Sequence, residues 1–137
     1  YSKHRREHVS LVFQDHNLID YLTPVENLRL VNPKADLKIL EDLGLTREEA
    51  KRNIMHLSGG QRQRVAVGRA LVSPGSVILA DEPTGSLDPK TTGDVITLLR
   101  DAAHQLGKCV IVVTHSERVA DAADIVLNLK RKKLTRS

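Results

Sequence analysis

Short apolar runs separated by longer amphipathic stretches dominate the pattern of this chain. The main runs are "VSLVF" (Val9 to Phe13), "SVILADEP" (Ser76 to Pro83) and "CVIVVTH" (Cys109 to His115). The last two are almost continuously apolar, a pattern typical of parallel strands that are covered on both faces. A fourth run, "IVLNLK" (Ile125 to Lys130), alternates apolar and polar residues, as an edge strand does. Together these runs predict the strands of an α/β protein.

Helices are predicted between the strands from their capping residues. Thr23 and Thr46 each stand three residues before a glutamate, the spacing of a capping box. Asp88 precedes Pro89, a residue favoured at the first helical position, and Gly107 ends that helix. Further helices are predicted over Ala35 to Leu43, Gln61 to Val72 and Ser116 to Asp124.

Composition narrows the classes of function. The 137 residues carry a net charge of +4 and are 40% hydrophobic, which suits one domain with an apolar core. Aromatic residues make up only 2%, so base stacking has few residues to use and we expect no nucleic-acid partner. Basic runs at both ends, Lys3 to Arg6 and Lys130 to Arg136, are interpreted as solvated tails. Cys109 is the single cysteine, and its place in an apolar run predicts a buried, inert thiol.

The sequence also bears on location. No apolar run reaches the length of a membrane span, and the start "YSKHRREH" is too polar for a signal peptide. We therefore expect a cytoplasmic protein. Because Tyr1 leads directly into charged residues without an initiating methionine, we also expect the chain to be a piece of a longer protein.

Polar side chains with catalytic chemistry follow the predicted strands. Asp81 and Glu82 end one strand, His115 ends another, and Gln14 follows the first. Ligands of α/β sheets bind at the carboxyl ends of the strands. Two adjacent carboxylates there suit nucleotide hydrolysis, in which one reaches hydrated Mg²⁺ and the other reaches the attacking water. His115 is a candidate for contacting a phosphate or orienting that water, and Gln14 is a candidate ligand of Mg²⁺.

A second candidate site lies in "LSGGQ" (Leu57 to Gln61). Ser58 can cap a helix, Gly59 and Gly60 let the backbone approach a ligand closely, and the helix dipole favours an anion at this end. The predicted ligand is a phosphate. The phosphate-binding pattern G-x-x-x-x-G-K-[ST] occurs nowhere in the sequence.

The ordered set Gln14, "LSGGQRQR", "VILADEPTGSLD" and "VVTHS" resembles the ATPase domain of ATP-binding-cassette (ABC) transporters, over nearly the whole chain. "LSGGQ" is similar to the signature motif of that family, "VILADE" to the Walker B strand and "SLD" (Ser86 to Asp88) to the D-loop. "RVAVGRAL" and "ADEPTGSLD" most resemble the subgroup that serves lipoprotein release, macrolide or peptide export, and cell-division complexes.

The resemblance implies a role for each candidate residue. Asp81 would be the Mg²⁺ carboxylate, Glu82 the general base and His115 the sensor of the γ-phosphate. Gln14 would be the Q-loop glutamine that reaches the metal and the nucleotide. The implied cofactors are ATP and Mg²⁺, and the nucleotide-binding residues are Gln14, Ser58, Gly59, Gly60, Gln61 and Asp88.

The resemblance also implies a P-loop NTPase-like parallel sheet with an inserted helical subdomain. Residues 1–14 would be the end of the first core part, residues 15–75 the helical subdomain, and residues 76–137 the α/β core. The first strands of the family and its Walker A lysine have no counterpart in the sequence. We therefore expect an ATPase in the intact parent domain and an inactive chain when this piece is alone.

In the family two ATPase domains face each other head to tail, and the signature of one closes over ATP held by the other. The implied partners are thus a second ATPase domain and a membrane-spanning permease, which would place the protein at the inner face of the membrane. Two alternatives stay open from the sequence: a related ATPase acting on DNA or ribosomes, and a non-enzymatic docking or dimerisation module.

Overall fold

A computed structural model describes residues 9–12, 18–130 and 133–136. The strands in these ranges are β1 (Val9–Val12), β2 (Val77–Asp81), β3 (Cys109–Val113), β4 (Leu127–Lys130) and β5 (Lys133–Arg136). The α-helices are α1 (Pro24–Arg29), α2 (Lys38–Asp42), α3 (Arg47–Ala50), α4 (Gly59–Val72), α5 (Pro89–His104) and α6 (Glu117–Ala122), and a short 3₁₀ helix covers Ile54–His56.

Strands β1, β2 and β3 form a parallel sheet in that order. Val9 pairs with Val77, and Leu79 pairs with Ile111. Helices α1 to α4 lie in the connection from β1 to β2, and α5 alone connects β2 to β3. The parallel sheet predicted from the apolar runs is confirmed.

Helices α1, α3 and α5 begin directly after the predicted caps Thr23, Thr46 and Asp88, whereas α4 begins at Gly59, two residues before the predicted Gln61. Thr23, Thr46 and Ser58 each form a capping box, in which the hydroxyl accepts from the third helical N–H and the third side chain accepts from the cap N–H. Helix α2 is shorter than the sequence predicted, since it begins after Leu37, whose side chain forms no cap. No helix in the described ranges is long and apolar enough to cross a bilayer.

Two apolar clusters form the interior, and helix α4 contributes to both. One cluster joins the sheet to α4 and α5, with Ile78 fully buried at its centre. The other lies among the short helices, where Leu28, Leu40 and Ile54 are fully buried. Gly68 of α4 packs closely against the short helices, since a Cβ there would lie 3.2 Å from a Leu43 methyl carbon and 3.5 Å from one of Leu40. The short helices are thus packed onto the sheet through α4.

One face of the sheet is open, which corrects the prediction of strands covered on both faces. Leu79 is 37% exposed, Ile111 48% and Val113 65%, and Cys109 is exposed too. Alternate residues of β2, such as Ile78, are buried beneath α4 and α5. The reason is that helices of the described ranges cover only the other face. The prediction of a buried Cys109 is therefore wrong.

The C-terminal basic run is also corrected. Rather than a tail, it supplies strand β5, which pairs antiparallel with β4. Leu129 lies opposite Leu134 in this hairpin. The alternating pattern of Ile125 to Lys130 predicted an edge strand, and the strand begins at Leu127.

We predict that Leu28→Ala will lower the free energy of unfolding by about 2–5 kcal/mol, because it empties a fully buried position in the helical cluster. The matched control is Leu30→Ala, at a position that is 60% exposed, where a change within about 0.5 kcal/mol is expected. Urea unfolding followed by circular dichroism measures both. Equal losses in the two variants would contradict the packing described here.

Candidate functional site

The two carboxylates and the histidine predicted from the sequence meet at one edge of the sheet. Asp81 ends β2 opposite Val113, the last residue of β3, and His115 lies two residues further on. Asp81 and His115 are exposed, whereas Glu82 is half-buried. The carboxyl ends of parallel strands are the ligand-binding edge of α/β sheets, so this grouping has the place that the sequence predicted.

Glu82 is held by the neighbouring strand through both its backbone and its side chain. Its N–H donates to the Val113 carbonyl at 2.8 Å. Its carboxylate accepts the His115 N–H at 2.9 Å and the Thr114 hydroxyl at 3.2 Å. The Glu82 φ of 49° lies in the left-handed region that residues other than glycine rarely adopt. Such a conformation costs about 1–3 kcal/mol and persists where the surroundings enforce it, often at functional sites.

The "LSGGQ" segment forms the start of helix α4. The Ser58 hydroxyl accepts the Gln61 N–H at 3.1 Å, and the Gln61 side-chain oxygen accepts the Ser58 N–H at 2.8 Å. The Gln61 amide nitrogen donates to Glu49. The N–H groups of Gly59 and Gly60, in the first turn, have no intrahelical acceptor, as at any helix start. They are the groups that suit an anion.

Gly59 and Gly60 have different surroundings. A Cβ on Gly59 would meet nothing within 4 Å, so a side chain could be added at the first position of α4 without a clash. A Cβ on Gly60 would lie 3.1 Å from the Ser86 carbonyl oxygen. Gly60 therefore allows the close approach of α4 to the loop between β2 and α5, hereafter the β2–α5 loop (residues 82–88), and a larger residue there would have to displace the loop slightly.

Gln63 also joins α4 to the β2–α5 loop, and the sequence reasoning did not select it. Its side chain is buried, and its amide nitrogen donates to the carbonyls of Pro83 at 2.8 Å and Glu82 at 3.4 Å. The available signal was a glutamine three residues after Gly60, on the same helical face.

Asp88 ends the β2–α5 loop and caps helix α5. Its carboxylate accepts the Thr91 N–H at 3.3 Å. Hydrogen bonds from the Thr91 side chain and backbone lower the pKa of Asp88, and the positive charge of Arg64 on α4 acts in the same direction. In the structure, this exposed carboxylate therefore caps the start of helix α5.

The predicted metal ligands are only partly described. Gln14 lies outside the described residues, and Asp81 stands exposed at the strand end. Within the ranges that the structure covers, no group of three or more His, Cys, Asp or Glu side chains could hold a metal ion. The exposed carboxylate of Asp81 at the strand end fits Mg²⁺, which commonly binds one or two carboxylates and takes its other ligands from water and phosphate.

Comparison with known proteins agrees with the motifs. The family model described as "ABC transporter" matches residues 1–85. This chain belongs to the ABC transporter family. The family resemblance inferred from "LSGGQRQR" and "VILADEPTGSLD" is therefore confirmed. The family is one of ATPases, and the chain is part of a domain of that family.

Relatives and solved structures of the ABC transporter family match nearly all of the 137 residues. The chain is 38% identical over 141 residues to the uncharacterized ABC transporter ATP-binding protein YclH of Bacillus subtilis, covering 96% of this chain and 62% of YclH. It is 42% identical over 135 residues to the macrolide export ATP-binding/permease protein MacB of Burkholderia pseudomallei, covering 91% of this chain and 20% of MacB.

The structural neighbours are cassettes. The dimeric structure of the bacterial ABC transporter cassette MJ0796 superposes with a TM-score of 0.88 at 38% identity, covering 98% of this chain and 64% of the cassette. A post-hydrolysis dimer of the same cassette, bound to ADP and Pi, gives a TM-score of 0.86 at 37% identity and the same coverage. The P-loop NTPase fold class is confirmed, and the chain spans less than two thirds of the relatives it matches.

We predict that Gly60→Ala will perturb the β2–α5 loop whereas Gly59→Ala will not, because only the first places a methyl group against the Ser86 carbonyl. Amide chemical shifts of Ser86 and Leu87 should move in Gly60→Ala, and its thermal midpoint should fall. Gly59→Ala should keep these shifts and be at least as stable, since alanine favours helices by up to about 1 kcal/mol over glycine. Equal shifts in both variants would contradict the close approach.

Asp88→Asn should reduce the dependence of stability on pH in acid. Because the folded pKa of Asp88 is lowered, its carboxylate stabilises the fold above the ordinary pKa, and this contribution is lost as the pH falls through the folded pKa. Asparagine also caps helices but does not titrate. Urea unfolding between about pH 6 and pH 3 should show a shallower slope in the variant than in the parent. The same slope in both proteins would show that the Thr91 hydrogen bonds do not favour the ionised form of Asp88.

Proposed function

We propose that this chain acts in ATP binding and hydrolysis as part of the nucleotide-binding subunit of an ABC transporter, which powers transport by a membrane partner. The observation that carries the proposal is the placement of Glu82, held at the ligand-binding edge of the sheet by the His115 N–H and the Thr114 hydroxyl. The start of α4 at Gly59 supports it, since the N–H groups of a helix N-terminus suit a phosphate.

The proposed base is Glu82. Each carboxylate oxygen already accepts one hydrogen bond and has a second lone pair, so the side chain can also accept a proton from a water molecule. His115, whose ring is exposed beside it, is proposed to contact the γ-phosphate. Its backbone N–H orients the Glu82 carboxylate, so both groups would be positioned by the end of strand β3.

Asp81 is proposed to hold Mg²⁺ together with Gln14. When bound, Mg²⁺ neutralises the charge of the phosphates. Among the described residues, the salt bridges join other side chains, and the exposed carboxylate of Asp81 takes part in none of them. Asp81 is thus available to the solvent side, where a hydrated ion would approach.

The signature turn is proposed to bind phosphate through Ser58, Gly59, Gly60 and Gln61, with Asp88 nearby across the β2–α5 loop. A helix N-terminus contributes at most about 2 kcal/mol toward an anion. Even a millimolar dissociation constant requires a favourable binding free energy of about 4 kcal/mol. We therefore infer that ATP is retained only when a lysine-containing phosphate loop, which the 137 residues do not contain, completes the site.

Two partners are proposed. The first is a second ATPase domain, arranged head to tail so that the signature turn of one domain closes over the nucleotide of the other. Support comes from the similar cassette MJ0796, whose two structures are dimeric. The second is a membrane permease, supported by the name of MacB as an ATP-binding/permease protein. The proposed location is the cytoplasmic face of the membrane.

The assignment of two subdomains along the chain is also a proposal. Residues 15–75 would form the subdomain that contacts the permease, and residues 76–137 would carry the carboxylates and the histidine. The separate apolar cluster among helices α1 to α3 supports this division, because it gives the short helices an interior of their own.

We predict that the purified chain alone will not hydrolyse Mg-ATP, and that activity will appear when a Walker A-containing N-terminal segment is added. Glu82→Gln should then lower kcat by about 100-fold or more, because the amide cannot accept the proton. The matched control is Glu48→Gln, an exposed carboxylate on α3, which should keep the parent rate. A phosphate-release assay at saturating ATP measures the rate of the chain alone, of the complemented parent and of the two complemented variants.

Hydrolysis by the chain alone that Glu82→Gln abolishes would refute the need for a second segment. Hydrolysis that survives Glu82→Gln in the complemented protein would refute the role of Glu82. Circular dichroism of each variant checks that the fold is retained.

A further inference from the structure

Gln63 has a buried side chain whose amide must find hydrogen-bond partners within the protein. It lies in the second turn of α4 and is only 2% exposed. Because a buried amide without hydrogen-bond partners destabilises the fold, the need for partners constrains the neighbouring backbone. They lie about twenty residues further along the chain, in the β2–α5 loop.

The partners are two successive carbonyl groups, that of the proposed base itself and that of the residue after it. The Gln63 amide nitrogen lies 2.8 Å from the Pro83 oxygen and 3.4 Å from the Glu82 oxygen. Glu82 is the described non-glycine residue with a positive φ. The strained residue is thus held from two sides: by strand β3 at its N–H and carboxylate, and by α4 at its carbonyl.

Helix α4 contacts this loop at a second point on the same face. Gly60 precedes Gln63 by one helical turn, and its α-carbon lies close enough to the Ser86 carbonyl that a methyl group would reach 3.1 Å. The loop therefore lies along the first two turns of α4. A displacement of the helix start would move the backbone of Glu82 as well.

We propose that Gln63 is a positioning residue that fixes the Glu82 backbone from helix α4 and so couples the phosphate-binding helix start to the general base. This inference rests on the proposed function for its catalytic meaning. The structural link itself is independent of ATP. Gln63 touches neither water nor phosphate in this role, since it acts through the Glu82 and Pro83 carbonyls.

The test compares Gln63→Met with Asn27→Leu. Methionine keeps the length of the glutamine side chain and removes the donor. Asn27 is a suitable control because it is also fully buried and its amide bonds backbone carbonyls, here those of Ile19 and Thr23, away from the β2–α5 loop. Both variants lose a buried amide, and only one loses the link to Glu82.

Amide hydrogen exchange of the full chain is the deciding measurement. The His115 N–H is bonded to the Glu82 carboxylate and the Glu82 N–H to Val113, so both report the position of Glu82. In Gln63→Met we expect these two amides to exchange about tenfold faster than the loss of global stability alone would cause. A tenfold increase corresponds to a loss of about 1.4 kcal/mol in the local opening free energy. In Asn27→Leu they should exchange no faster than global destabilisation explains.

The same variants are then assayed in the complemented ATPase. Gln63→Met should lower kcat about tenfold with KM for ATP unchanged, and Asn27→Leu should keep both values. If the parent hydrolyses no ATP, the proposed function fails, and the exchange data still decide the link. Equal exchange at His115 in the two variants, or faster exchange with kcat unchanged, would overturn the positioning role.

If Gln63→Met does not fold, Gln63→Asn replaces it. Asparagine keeps an amide that is shorter by one methylene group, so it withdraws the donor from the Pro83 carbonyl without making the site apolar. The same exchange pattern is expected, and protection of His115 equal to that of the parent would overturn the proposal.

Discussion

Packing of helix α4 against both apolar clusters determines where the other elements of this chain lie. Val65 faces the cluster of short helices, whereas Ala66 and Ala70 face the sheet. Small residues on the sheet side bring the helix close to β1 and β2, so the start of α4 lies against the β2–α5 loop. Apolar packing therefore holds the start of α4 in a fixed position relative to Asp81 and Glu82.

Much of the fold could be predicted because its signals are local. Thr23, Thr46 and Asp88 cap helices through hydrogen bonds to residues only three positions away, and the apolar runs predicted the strands. The open sheet face could not be predicted in this way. A continuous apolar run fits a strand that is covered on both faces, and Ile111 and Val113 do not reveal by themselves which face a helix covers.

The candidate site shows the same limit. Asp81, Glu82 and His115 could be selected because each follows an apolar run, and parallel pairing brings such ends together. The role of Gln63 could not, because its partners lie in a loop whose path depends on how α4 packs. The left-handed conformation of Glu82 is likewise a product of tertiary hydrogen bonds and not of its own sequence preference. Sequence patterns thus identify reactive groups better than the groups that hold them.

The order of strands in the sheet has a consequence for the time course of folding. Strand β1 pairs with β2, although helices α1 to α4 lie between them along the chain. Closing so long a loop is entropically costly, and contacts between distant residues form late. The helical segment contains its own local contacts and can collapse first. Its helix α4 would then present a ready apolar surface, so that the sheet grows on the helices rather than the helices on the sheet.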